Sequence, residues 1–230
     1  MKFNKLFFVQ IFGEFCCSSM WMQLHCYGMD PQINELGVLG FGLCDGLALM
    51  IVMQTFGCVS GAFMNPCITV AGVIMGKIKW DMAIIYIGLQ FIGHIFGLVL
   101  AYYTTPWSGR DNRYCVSDLP EQTTVMGGCL WEFLMTSTWV LAQCSAWDKR
   151  TQHLQESIYL RMGLVLVSIM TCGAYMSDLS MNPAKSLAGA LFNWYWKHNW
   201  IYHVSPLLAA ISMPFVHKYL LNEGETSSEE

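Results

Sequence analysis

The tripeptide Met-Asn-Pro occurs twice, as Met64-Asn65-Pro66 and Met181-Asn182-Pro183, each time in an apolar segment too short to cross a membrane, 58–77 and 176–194. Each copy follows a longer apolar stretch with a lone glutamate. Glu14 stands 51 residues before Asn65 (65 − 14), and Glu132 stands 50 before Asn182 (182 − 132). Such matched spacings divide the chain into two copies of one plan, 1–105 and 123–221. A polar loop at 106–122, holding Pro106, Gly109, Arg110, Asp111, Asn112, Arg113 and Pro120, joins them.

Composition says what surrounds such a chain. Of its 230 residues 54% are hydrophobic and 12% charged, against roughly 25% charged in a soluble domain. Four of the 16 acids (Glu223, Glu225, Glu229, Glu230) fall in 222–230, read as an acidic disordered tail, leaving 12 acids (16 − 4) against 12 bases. These numbers argue against a basic nucleic-acid binder, an acidic disordered chain and a charged soluble enzyme. Six stretches reach the length of a membrane helix: 6–27, 36–57, 82–105, 123–147, 157–175 and 200–221. Trp80, Trp107, Trp147 and Trp200 sit near their ends, as in interfacial belts. Glu14 interrupts the first run, so it does not read as a cleavable signal peptide.

Six spans put both termini on one side. Lys2, Lys5, Lys77, Lys79, Lys149, Arg150, Arg161 and Lys218 lie on that side, and Arg110, Arg113, Lys185 and Lys197 on the other. The positive-inside rule then makes the termini cytoplasmic. Three spans per half is an odd number, so the second half enters from the opposite face. An inverted repeat of this kind places its functional site near the bilayer midplane. The two short segments dip in from opposite sides, and irregular backbone at that depth is tolerated only inside protein or along a watery path.

Asparagine is a preferred N-cap and proline fits the first helical turn, so Asn65-Pro66 and Asn182-Pro183 predict half-helices over 66–77 and 183–193. Their amino-terminal ends, each with about half a positive charge and unpaired N–H groups, meet at the centre. Cations are repelled there, neutral hydrogen-bonding solutes find donors, and the asparagine amides are expected to add further donors.

The motifs Asn65-Pro66-Cys67 and Asn182-Pro183-Ala184, with Ser60-Gly61-Ala62 before the first, resemble those of the major intrinsic proteins, the aquaporins, over residues 6–221. The cysteine in the first motif and the short chain are most similar to the divergent intracellular superaquaporin branch (eleven- and twelve-like). That branch usually carries a further cysteine after the second motif, and none follows Cys172 here. The resemblance implies an all-α membrane protein of six transmembrane helices plus two re-entrant half-helices. It also implies a homotetramer in the lipid bilayer that passes small neutral solutes, with no cofactor or metal. An internal membrane such as the endoplasmic reticulum is favoured, the plasma membrane being the alternative.

Counting from the motifs, the resemblance puts the selectivity constriction at Asp45 (20 before Asn65), Met170 and Leu179 (12 and 3 before Asn182), and Lys185 (3 after). None matches the aromatic, histidine, small residue and arginine of water-specific members. Lys185 keeps the charge without arginine's planar fork of donors. Asp45 is an intramembrane acid, functional by default. It is expected to pair with Lys185 across the pore mouth, the alternative being a register shift of one residue that displaces it. Met170 and Leu179 are apolar and suit glycerol-like or peroxide-like solutes.

Glu14 and Glu132 are expected to accept hydrogen bonds from the backbone of their own re-entrant loops, since buried acids need partners. His94 reads as a packed or hydrogen-bonded histidine, with a pore gate as the alternative. Gly88, Gly93 and Gly97 recur near helical spacing and predict close helix packing. Cys67 is either a small filler or an oxidisable pore thiol. Cys16, Cys17, Cys44, Cys58, Cys129, Cys144 and Cys172 lie in apolar runs, and Cys115 is the one in a plainly polar segment, so no disulfide is expected. Without a nucleophile–base set, phosphate loop or metal cluster, the chain does not read as an enzyme. A passive channel is the leading reading, and a weakly conducting structural or regulatory membrane protein is the alternative.

Overall fold

The computed structural model describes residues 4–29, 36–106 and 113–221. Residues 107–112 of the linking loop and the acidic tail at 222–230 lie outside the described residues. Among the described residues every regular element is helical: α1 (Lys5–Met29), α2 (Gly37–Ser60), α3 (Pro66–Ile74), α4 (Trp80–Thr104), α5 (Val125–Ala146), α6 (Ile158–Ser177), α7 (Pro183–Asn193) and α8 (Ile201–Val216). A 3-10 turn, Lys149–Ser157, leads into α6, and a short π turn, His217–Leu221, ends α8.

The polarity is inverted relative to a soluble domain. Leu39, Ile51, Ile84, Ile92, Leu130, Leu164 and Leu208 face outward, whereas Glu14, His25, Asp45, Gln90, His94, Glu132 and Lys185 are buried. Helices satisfy their own backbone hydrogen bonds, which lipid cannot do. Among the described residues five segments are long and apolar enough to cross a membrane: Gly37–Ser60, Trp80–Thr104, Val125–Ala146, Lys149–Gly173 and Ile201–Leu221. The expected first span differs. α1 has spanning length, at 25 residues, but is not among the apolar five. Its polar residues are the reason: Glu14, Ser18, Ser19 and His25 are buried against protein rather than presented to lipid.

α1 packs on α2 and α4, α5 packs on α6 and α8, and α2 lies along α6. The half-length α3 rests on α8 and α7 rests on α4, so each is held by a helix from the other end of the chain. Small residues permit these approaches. A Cβ on Gly46 would meet the Gly163 carbonyl and Val167 of α6, and one on Gly97 would strike the Ser19 carbonyl of α1. A Cβ on Gly93 would come within 2.8 Å of the Phe15 carbonyl oxygen. Gly88 departs from the expectation: nothing lies within 4 Å of a Cβ placed there, so it faces outward rather than into a helix contact.

The cysteine expectation is corrected. Cys115 bonds to Cys26, at the end of α1, across a sequence separation of 89. Reading Cys115 as a lone polar-segment cysteine left Cys26 out, because Cys26 lies in an apolar run and its partner is remote in sequence. The bond lays residues 113–120 over α7. There Asn193 Nδ2 donates to the Tyr114 carbonyl (2.9 Å), and Tyr195 Oη donates to Asp118 Oδ2 (2.7 Å).

Candidate pore at the meeting of two half-helices

Both half-helices begin as their sequences dictate. Asn65 Oδ1 accepts from Cys67 N at 2.8 Å with Pro66 in the first turn, and Asn182 Oδ1 accepts from Ala184 N at 3.0 Å with Pro183 in the first turn. α7 spans Pro183–Asn193 as expected, whereas α3 ends at Ile74, three residues before the expected 77. Lys218 Nζ caps its last carbonyl, Ile74 O, at 2.7 Å.

The residue before each asparagine is left-handed: Met64 and Met181 both have φ of 53°. A non-glycine side chain there costs roughly 1–2 kcal/mol. The buried glutamates hold these turns. Glu14 accepts from Met64 N (2.6 Å), Phe63 N (3.3 Å) and Gln90 Nε2 (2.8 Å). Glu132 accepts from Ser180 N (2.8 Å), Met181 N (3.0 Å) and Ser177 Oγ (3.0 Å). Each glutamate thus binds the loop that follows it in the chain.

The two asparagine amides cross between the loops. Asn65 Nδ2 donates to the Met181 carbonyl at 2.9 Å, and Asn182 Nδ2 donates to the Met64 carbonyl at 3.1 Å. Asn182 Nδ2 also lies 3.1 Å from His94 Nε2. His94 Nδ1 is 2.7 Å from the Gln90 carbonyl, which can only accept, so Nδ1 carries the proton and Nε2 accepts from Asn182. Both hydrogens of the Asn182 amide are therefore engaged within the protein, while Asn65 has one left. The expectation that both amides would offer donors to a solute is corrected to one.

A cavity of about 30 Å³, measured as space for the centres of water molecules, opens beside this junction. A single water needs about 10–15 Å³ on that measure, so the cavity has room for about two. Asn65 and Asn182 line it together with Asp45, Met170, Trp21, Leu49, Trp139 and Leu166. Of the four predicted constriction residues, Asp45 and Met170 are on this wall and Leu179 and Lys185 are not. Lys185 Nζ donates to the Leu179 carbonyl at 2.9 Å, which joins the other two to each other.

The expected Asp45–Lys185 pair is replaced by another. Asp45 Oδ1 is 2.7 Å from His25 Nδ1, and no ion pair within 4.0 Å links Asp45 to Lys185 among the described residues. The carboxylate is drawn toward α1 because His25 offers it a donor inside the protein, while Lys185 is held by its own loop. Cys67, 0% exposed, is sealed beside the first motif.

Trp21, His25 and Gln90 escaped the sequence reading. A signal was present: Glu14, Ser18, Trp21 and His25 fall at steps of 4, 3 and 4 along α1, one helical face, and all are buried. Glu132, Thr136, Trp139 and Gln143 repeat those steps on α5.

Membrane-length helices enclosing two half-helices that abut at capped asparagines beside a narrow cavity define a membrane channel for water or small solutes. Residues 4–217 match the major intrinsic protein family. The lens fiber major intrinsic protein of Rattus norvegicus is 28% identical over 219 residues, 94% of this chain and 82% of that one. Aquaporin-5 of Ovis aries is 31% identical over 220 residues, with the same coverage, and aquaporin-8 of Mus musculus is 27% identical over 218 residues, 93% of this chain and 82% of that one. The X-ray structure of the aquaglyceroporin from Plasmodium falciparum superposes with a TM-score of 0.79 at 16% identity, covering 94% of this chain and 97% of that one. The chain belongs to the major intrinsic protein family, whose members are channels rather than enzymes.

Proposed function

We propose that the protein is a passive channel for water and small neutral solutes such as glycerol or hydrogen peroxide, excluding ions and protons. The observation that carries this reading is the abutment of two helix amino termini, at Asn65 and Asn182, on the wall of one cavity. Opposed positive dipole ends there repel a cation or hydronium, while the free Asn65 hydrogen binds a neutral acceptor. The apolar Leu49, Leu166 and Met170 strip a solute of water without offering a charged ion compensation. Asp45, Met170, Leu179 and Lys185 serve as the constriction in this reading.

The matched packing of α1 with α2 and α4, and of α5 with α6 and α8, supports two inverted halves, 1–105 and 123–221. The disulfide supports cytoplasmic termini. Cys26 at the far end of α1 and Cys115 share one face, and disulfides persist on the oxidising side of a membrane. We place the chain in an internal membrane such as the endoplasmic reticulum, as a homotetramer, on its similarity to the divergent branch at Cys67.

A weakly conducting protein of the same fold is the second reading, favoured by the burial of all four constriction residues, none more than 1% exposed. Liposome swelling separates the two. A channel raises permeability to water, glycerol or peroxide above that of empty liposomes, and replacing Asn65 and Asn182 together with alanine abolishes the increase. Permeability equal to that of empty liposomes for all three solutes sinks the channel reading.

A further inference from the structure

α1 and α4 carry features that the pore does not use. A Cβ on Gly93 would meet Phe15 and one on Gly97 would meet Ser19, so the two helices run parallel, with 93 level with 15 (93 − 15 = 78). Lys5 is then level with 83 (5 + 78), and Lys79 and Trp80 lie within about 6 Å of that level along the axis. Two outward stripes run from this end. Trp80, Ile84, Gly88 and Ile92 recur at every fourth residue of α4, Phe8 and Phe12 stand four apart on α1, and all six are exposed. The stripes converge where Phe15 meets Phe96, with ring centroids 5.6 Å apart. The ammonium groups of Lys5 and Lys79 have no hydrogen bond or ion pair among the described residues. Asp81, the acid next to them in sequence, accepts instead from Met82 N of its own helix, at 2.8 Å. Gly88 is the odd member of its stripe. Nothing lies within 4 Å of a Cβ built there, so no helix contact asks for glycine, which weakens a helix relative to alanine.

We propose that this face is a docking surface for one anionic phospholipid, with its phosphate between Lys5 and Lys79 and an acyl chain lying along the stripes into the notch at Gly88. Charge complementarity selects the headgroup: two exposed cations without carboxylate partners attract an anion at the membrane surface. Continuity with the lipid-facing surface selects the tail. Gly88 lies eight residues along from Trp80 (88 − 80), about 12 Å down the axis. One leaflet of hydrocarbon is about 15 Å deep, so a chain that starts beside Trp80 reaches the notch near its end. Trp80, 70% exposed, has the apolar ring and the single N–H donor that suit the boundary between headgroup and hydrocarbon. Both lysines fall on the side read as cytoplasmic, where anionic lipids concentrate. Head and tail must belong to one molecule, which a free phosphate does not supply. The assignment stands apart from the pore and from any solute that passes through it.

The test is photolabelling in phosphatidylcholine vesicles that hold a trace of phosphatidylglycerol with a diazirine on its acyl chain, followed by mass spectrometry of the peptides. This lipid should label α1 and α4 around Phe12 and Gly88 severalfold more than a phosphatidylcholine carrying the same diazirine. Lys5→Gln with Lys79→Gln should lower that labelling on the order of tenfold. Lys5→Arg with Lys79→Arg keeps both charges and should stay within about twofold of native. Gly88→Ile fills the notch with the charges intact and should lower the labelling severalfold. All three positions are exposed, so the melting temperature in detergent, unmoved in each variant, shows that the fold is kept. Equal labelling by the two lipids overturns the proposal, as does labelling unchanged in the glutamine double variant or in Gly88→Ile. A face shielded from both lipids, because a second copy or the segment 222–230 covers it, overturns it as well.

Discussion

Asn65 and Asn182 each hold the other's loop: the Asn65 amide donates to the carbonyl beside Asn182, and the Asn182 amide donates to the carbonyl beside Asn65. Each asparagine also caps its own half-helix. Replacing either with alanine should cost about 1 kcal/mol for the lost cap. Because the clasp is reciprocal, the double variant should depart from additivity by about 0.5 kcal/mol or more. Thermal unfolding in detergent measures the cycle, and simple additivity would mean that the loops are held separately.

Glu132 accepts three hydrogen bonds at the second loop, and Met181 beside it is left-handed. Glu132→Gln puts an amide donor against backbone N–H donors. It should destabilise by about 1–3 kcal/mol, the cost of a buried unsatisfied group. The equivalent exchange at Glu14 should act alike, since Glu14 serves Met64 in the same way. A melting temperature unmoved in both variants would remove the loop-anchoring role.

Gly97 and Gly88 share a helix and have opposite surroundings. Gly97→Ala drives a methyl into the Ser19 carbonyl and should cost about 1–3 kcal/mol, as overpacking does. Gly88→Ala meets nothing and should stay within about 0.5 kcal/mol of native. Equal effects from the two would contradict the α1–α4 packing.

Cys26→Ser should lower stability by about 2–5 kcal/mol, the usual cost of losing a native disulfide. Reductant should lower the melting temperature of the native protein to that of the variant and leave the variant itself unmoved. A native protein indifferent to reductant would show that the bond does not form.

Asp148, between α5 and α6, is held at about 2 rather than 3.8 chiefly by hydrogen bonds from the Arg150 side chain, at 2.7 and 3.0 Å. The folded value is the lower one, so the pair's contribution is complete above pH 3.8 and is lost as pH falls through about 2. Half-exposed Arg150 keeps the energy small and salt-screened. The Asp148 carboxyl resonance should titrate near 2 in native protein and move toward 3.8 in Arg150→Ala. A midpoint indifferent to that change would discard the pairing.

The hold of each glutamate on the loop that follows it was legible because it is written in spacing: Glu14 to Asn65 and Glu132 to Asn182. Helix starts at Pro66 and Pro183 were legible from capping chemistry, which is local. What failed was pairing at a distance. Whether Asp45 meets Lys185 or His25 depends on how α1 rotates against α2, and no local rule sets that angle. The Cys26–Cys115 bond failed for the same reason. His94 could be assigned to packing from its apolar surroundings, yet its bond to Asn182 follows only once α4 and α7 are side by side.

α1 carries a last consequence, for what holds it in the bilayer. The helix has Glu14, Ser18 and His25 on one face, and in the fold these groups are buried against protein, with α2 and α4 packed on it. Its place in the bilayer therefore depends on its neighbours more than that of the five apolar spans does. In the finished fold α2 and α4 together supply α1 with the protein surroundings that lipid does not.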